Sequence, residues 1–299
     1  MTKQSLNMKI SHLGEFGLID VLKQYAPVSK AVVKGIGDDA AVLPYSKSEY
    51  LLLTTDMLAE GTHFTRRMLP ESLGHKALAC NISDIAAMGG WPTFAVVSIG
   101  IPKNLSVKHI KRIYKGMQGL ARDFNVSIVG GDTVKTDQMV INIALLGQVE
   151  KKCLVTRDGA KPGDWIFVTG LLGGSFKSGR HLIFTPRLAQ ARFLVEKFLP
   201  NAMMDISDGL SGDLNHILKA SKVGARLDLD SIPRHKGVAL SQALNDGEDF
   251  ELVFTLSASK ARSLMEWQTK AKSFYFYPIG TITADVKEKI DSKSFTHFK

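Results

Sequence analysis

Apolar positions in the first half of the chain fall into short dense runs separated by longer periodic stretches. Tyr50–Thr55 (YLLLTT), Phe94–Ile101 (FAVVSIGI) and Val140–Val149 (VINIALLGQV) are rich in β-branched residues and Leu, and they predict strands. Between them, Leu73–Met88 predicts a helix with Leu78, Ile82, Ile85 and Ala86 on one face. Val107–Phe124 predicts a second helix, opened by Ser106 as its cap and carrying Lys and Arg on its polar side. The segment Lys151–Asp164 (KKCLVTRDGAKPGD) is charged, and its last four residues read as a tight turn. It divides the chain into residues 1–150 and residues 151–299. The second part opens on a strand at Trp165–Thr169, continues with helices at Pro186–Phe198 and Leu210–Ala220, and adds a strand at Phe250–Leu256. This mixture predicts a two-domain α+β or mixed α/β protein and not a regular βαβ series.

The acids are placed where these apolar runs end. Gly35–Val42 (GIGDDAAV), Thr54–Phe64 (TTDMLAEGTHF), Asn81–Gly90 (NISDIAAMGG), Gly130–Asp137 (GGDTVKTD) and Met204–Leu214 (MDISDGLSGDL) each set Asp beside Gly, Ser or Thr. A carboxylate at a strand end or helix start is exposed at one edge of a fold. Several such edges converging would concentrate negative charge that only cations relieve. Carboxylates with Ser and Thr hydroxyls suit Mg²⁺, which binds through a few carboxylates plus substrate phosphates. Taken singly, each segment is also compatible with an ordinary turn or helix cap. Asp84 is the exception, because it sits in an otherwise apolar helical stretch where an unpaired carboxylate is costly to bury. Either a partner or a metal lies beside it, or that face is open to solvent.

Composition narrows the choice of chemistry. The chain has 299 residues, 44% of them hydrophobic and 22% charged, which suits globular domains with real cores. No run approaches the roughly eighteen apolar residues of a membrane span. The polar start of the chain lacks a signal-peptide core, so a cytoplasmic location is expected. Cys80 and Cys153 have no ligand spacing and read as structural; the His residues are scattered, which argues against zinc. The net charge is +9, but the basic residues are dispersed and no nucleic-acid recognition motif is present. An enzyme for polyanionic substrates, or a merely solvated basic surface, accounts for the same charge. Gly174–His181 (GSFKSGRH) mimics a Walker loop, yet Arg180 and His181 replace the Lys and the Ser or Thr that such a loop needs.

The series GIGDDAAV, TTDMLAEGTHF, SDIAAMGG, GGDT, TRDGAKPGDW, DISDGL and NDGEDFEL resembles the thiamine-monophosphate kinase family. That family shares a superfamily with aminoimidazole ribonucleotide synthetase and selenophosphate synthetase. The match runs from Gly14-Glu15-Phe16 to about Gly280, with the segments in the family's order. The resemblance implies an N-terminal α+β domain that forms a β-barrel across a homodimer and a C-terminal α/β domain beside it. It also implies a reaction in which ATP phosphorylates thiamine monophosphate directly, giving thiamine diphosphate and ADP. A synthetase of the same superfamily acting on another small metabolite, and a nucleotide-binding module without catalysis, are the alternatives.

Carried over position by position, the expected ligands of several Mg²⁺ ions are Asp39, Thr54, Thr55, Asp56, Asp84, Asp132, Asp205 and Asp208. The expected nucleotide contacts are Gly131, Asp132, Ser207, Tyr114 and the phosphate-binding Arg157. His63 and Glu248 match positions that contact the acceptor, and catalysis is expected to rest on Asp84, Asp208 and Arg157. No nucleic acid and no membrane enters this picture. One departure stands out: the family's Trp that stacks on the thiamine ring is Ser292 here, leaving Phe295 or Phe298 as replacements.

Overall fold

The strand-forming runs assemble into two five-stranded sheets, one on either side of the Lys151–Asp164 segment. The structure, a computed structural model, describes residues 9–271, 273–295 and 297. Ahead of the first sheet lies α1 (Ile10–Leu22), which kinks at Gly14 with φ +66°. The sheet itself contains β1 (Ala41–Pro44), β2 (Glu49–Ala59), β3 (Trp91–Ile101), β4 (Ser127–Lys135) and β5 (Val140–Glu150). Their order is β1-β2-β5-β3-β4, antiparallel except for the β3–β4 pair. That parallel pair requires a crossover, supplied by α3 (Val107–Asp123), which Ser106 caps as expected.

Period-two alternation gives this sheet one buried and one open face. Ile141, Ile143 and Leu145 of β5 are fully buried, as are Leu78, Ile82 and Ile85 of α2 (Pro70–Ala87) in the same core. Met57, Phe94 and Val96 keep 59%, 48% and 41% of their surface on the opposite side. The sheet is open, with β1 and β4 at its edges, so one chain forms no closed barrel. β4 escapes a sequence reading because eight of its nine residues are exposed and show no alternation.

Helices α2 and α3 approach each other closely. A Cβ on Gly74 would lie 1.9 Å from the carbonyl oxygen of Ile113, and one on Gly116 the same distance from that of Glu71. Gly74→Ala is therefore expected to destabilise the protein by about 3 kcal/mol, since two backbones must part to admit a methyl group. Urea unfolding measures this, and a wild-type midpoint would show that the helices are not in close contact.

The second sheet contains β6 (Trp165–Val168), β7 (Ala202–Asp205), β8 (Gly224–Leu227), β9 (Leu252–Leu256) and β10 (Tyr277–Thr283). It is antiparallel throughout, in the order β7-β9-β6-β10-β8. Around it run α4 (Ser175–Ser178), α5 (Leu188–Lys197), α6 (Leu210–Ser221), α7 (Leu240–Asn245) and α8 (Ala258–Lys270). Phe167, Met203 and Phe254 join the core of the first half, while Ile166, Met204 and Val253 pack with Leu214 and Ile217 of α6. One of the two apolar cores thus spans both halves, and the middle of β2 and the C-terminal ends of α2 and β7 meet beside it. Among the described residues no helix is long and apolar enough to cross a membrane.

Candidate active site

A cleft of about 1310 Å³ opens where the two halves meet. Common single-ligand pockets occupy about 300–1,000 Å³, so it has room for two bound molecules. Strand alternation on β2 turns Thr54 and Asp56 toward α2 and Thr55 toward the open face. Thr54 donates its hydroxyl to Asp84 Oδ2 at 2.5 Å, and the Asp56 amide donates to Asn81 Oδ1 at 3.1 Å. Ser83, the neighbour of Asp84 on α2, donates to Asp205 Oδ2 at the end of β7 at 2.6 Å. Asp39 enters from the Gly-Asp-Asp turn and accepts from Arg157 Nη2 at 2.6 Å.

The result is a concentration of buried acid. Asp39, Asp84 and Asp205 each offer a carboxylate oxygen, all within 4.8 Å of one another. Burial, followed by the charge of Asp56, pushes the Asp84 carboxyl well above its ordinary value. Burial and then Asp39 raise Asp205 to about 8, while burial and then Glu248 raise Asp56 to about 6. Asp84 also stands in the last turn of α2, where the helix dipole opposes a negative charge. Asp39 Oδ2 is buried without a hydrogen-bond partner. Oxygen donors, mutual repulsion and an unsatisfied lone pair all fit a hard divalent cation such as Mg²⁺.

The remaining walls include His63, Glu248 and Asp208. His63 Nδ1 accepts from the Ala59 amide at 3.1 Å, so the neutral ring carries its proton on Nε2. Burial, then Lys76, holds this imidazole down to about 4, so it is neutral at ordinary pH. Across the cleft, Glu248 has φ +70°, and its amide donates to the Ser207 carbonyl at 2.7 Å. Asp208 lines the same cavity but lies outside the three-carboxylate group; burial and then Glu15 raise it to about 7.

The sequence matches the family described as AIR synthase related protein, N-terminal domain, over residues 37–149, and the corresponding C-terminal domain over residues 161–293. A thiamine-monophosphate kinase of Aquifex aeolicus is 36% identical, the alignment covering 83% of this chain and 87% of that protein. One of Bacillus subtilis is 33% identical over 96% of this chain and 100% of its own length. The chain belongs to the thiamine-monophosphate kinase family. A solved structure of the family, AaThiL complexed with AMPPCP and TMP, superposes with a TM-score of 0.85 at 33% identity, covering 97% of this chain and 99% of that one. Hydrogenase maturation protein HypE, at 20% identity and a TM-score of 0.64, shares the fold.

Not every position carried over from the kinase family meets in this cleft. Asp39, Thr54, Thr55, Asp56, His63, Asp84, Arg157, Asp205, Ser207, Asp208 and Glu248 line it; Gly131, Asp132 and Tyr114 do not. Gly131 and Asp132 sit on edge strand β4, and Tyr114 packs against the main core. Gly131 has its own structural reason, since a Cβ there would lie 1.8 Å from the Val97 carbonyl oxygen. Ser292 bonds to Ser211 at 3.0 Å and does not line the cleft, whereas Phe295 does; Phe298 lies outside the described residues.

Three side chains that line the cleft were given no role in the sequence reading. Asp38 accepts from the Arg157 amide at 3.2 Å and pairs with Lys34 at 3.3 Å, anchoring the arginine's backbone. Asp213 accepts from the Asp208 and Gly209 amides, both at 3.1 Å, and so shapes the Asp-Gly turn ahead of α6. Lys76 lies fully buried beside Glu248.

Proposed function

We propose that this protein transfers the γ-phosphoryl group of ATP to the phosphate of thiamine monophosphate, yielding thiamine diphosphate and ADP. The observation that carries the reading is the convergence of Asp39, Asp84 and Asp205 within 4.8 Å in a cleft that also holds Arg157, His63 and Glu248. An acceptor phosphate oxygen is already anionic near neutral pH, so the reaction needs charge neutralisation and in-line positioning more than a base. Asp39, Asp84 and Asp205, with Asp56 and Asp208 nearby, would hold Mg²⁺, which supplies that neutralisation when bound.

The chain's own groups do the rest. Thr54 and Ser83 fix the carboxylates of Asp84 and Asp205 by hydrogen bonds, so the ligand oxygens are set in advance. Arg157 offers a planar, permanently charged fork to phosphate oxygens, with Asp38 and Asp39 aiming it. His63 presents an Nε2–H donor and Glu248 an acceptor to the thiamine end, while Phe295 supplies an aromatic surface in place of the absent Trp. The open face of the first sheet, with Leu53, Met57, Phe94 and Val96 exposed, supports a homodimer in which two sheets pack into a barrel. A cytoplasmic location agrees with these substrates.

Incubation with ATP, Mg²⁺ and thiamine monophosphate tests the reading. Equal amounts of ADP and thiamine diphosphate are expected, without free phosphate; release of free phosphate instead points to a synthetase. Within that assay, Arg157→Ala is expected to raise the KM for ATP at least about tenfold, the loss of charge-assisted hydrogen bonds. His63→Ala should raise the KM for the acceptor by about tenfold and leave that for ATP unchanged. If both variants altered only the acceptor's KM, the division of the cleft would be wrong.

A further inference from the structure

Lys76 is out of place by the ordinary rules of burial. It lies on α2 among Leu73, Ala77 and Cys80 and has no exposed surface, although lysine is rarely buried without a strong reason. Its Nζ is 2.5 Å from Glu248 Oε2, an ion pair in which neither atom has a hydrogen-bond partner, and among the described residues no other carboxylate stands within salt-bridge distance of it. Both side chains line the cleft, and Asp249, the next acid in sequence, is turned away to accept from the Gly173 amide at 2.6 Å.

Glu248 is held from both ends. Its backbone adopts a left-handed conformation that non-glycine residues rarely use, fixed by the amide bond to the Ser207 carbonyl. Gly247 is needed beside it, because a Cβ there would lie 2.6 Å from that same carbonyl oxygen. The loop therefore presents the carboxylate at one spot, and Lys76 meets it there from the far side of the cleft wall. Burial pushes the Glu248 carboxyl up, and the ammonium of Lys76 opposes that push.

We infer that Lys76 is a positioning residue for acceptor recognition, holding the Glu248 carboxylate in place at the cleft wall as the counter-group for a cationic or amino-bearing heteroaromatic ring. The inference rests on the proposed function, since thiamine monophosphate carries both a cationic ring and an amino group. A buried pair of this kind contributes little net stability, so its value lies in the geometry it imposes.

A double-mutant cycle on the full-length protein tests it, with Lys76→Met, Glu248→Gln and the combination, varying each substrate at saturating levels of the other. Lys76→Met keeps the buried volume and should raise the acceptor KM at least about tenfold, with the ATP KM within about twofold of wild type. In the Glu248→Gln background the same change should shift the acceptor KM by less than about twofold, because no carboxylate remains to position. A structural role predicts the opposite: an equal effect in both backgrounds, or ATP and acceptor KM rising together, and either result overturns the inference. An unchanged acceptor KM in Lys76→Met overturns it as well. Loss of folding in the single variant is countered by the double variant, which buries no unpaired charge. Wild-type protein that neither binds nor phosphorylates thiamine monophosphate overturns the underlying reading, a result visible before any variant is made.

Discussion

Asp84→Asn is expected to lower turnover by about a thousandfold while leaving the metal-free protein at least as stable as wild type. The two effects have opposite origins. Asp84 is forced beside Asp39 and Asp205, close to Asp56, and at the unfavourable end of a helix dipole. Replacing its carboxylate by an isosteric amide relieves that repulsion, and the Thr54 hydroxyl can accept from the new amide where it donated before. In chelator, the unfolding temperature should rise by about 3 °C, the shift produced by ~1 kcal/mol in a protein of this size. Mg²⁺ should then stabilise wild type by more than the variant, because one ligand charge is gone. Wild-type turnover at limiting Mg²⁺, or equal stabilisation of both proteins by the ion, would remove Asp84 from the metal site.

The contrast between Asp84 and Lys76 shows what a sequence reveals. An acid among Leu, Ile and Ala on a helical stripe contradicts its own surroundings, so the oddity of Asp84 was legible from the residues alone, while the other positions came from the resemblance. A lysine on the same helix reads as a solvated position, since its long stem fits a surface as readily as a core. Only the tertiary path of the Glu248 loop, 172 positions away, decides its surroundings. Asp213 is hidden for a similar reason: a carboxylate one turn into a helix is common, and its two amide donors are local backbone that no composition reveals. β2, β3, β5 and β9 and helices α2, α3, α5 and α6 were visible through their apolar runs and periodicity, whereas α1, α8 and β10 went unread despite comparable length. Of the four-residue strands, β6 was read because it follows directly on the turn-rich connector, while β1, β7 and β8 had no such marker and are too short to show a period; exposed β4 carries no alternating pattern to read.

β4 also decides the second large effect: in the proposed homodimer, two inactive variants, Asp84→Asn and Asp132→Asn, should restore activity when combined. Strand register places Asp132 opposite Ser98, Asn142 and Met57 in one row across the open face. β2 and β4 are therefore three strand spacings apart, about 14 Å, too far for one chain's Asp132 to share an ion with its own Asp56. The cleft rim nevertheless includes Leu53, Thr55 and Met57, which belong to that same open face. A second sheet packed there would bring its own β4, and with it Asp132 of the second copy, toward the rim. Each complete site would then draw Asp84 from one chain and Asp132 from the other. Refolding the two variants together in equal amounts gives mixed dimers as half of the population. One site in each mixed dimer carries both lesions and the other carries neither, so about a quarter of wild-type activity should return. If Asp132 served its own chain's cleft, every site in the mixture would carry one lesion and activity would stay at the level of the separate variants. Full activity of Asp132→Asn alone would instead show that no site depends on this carboxylate.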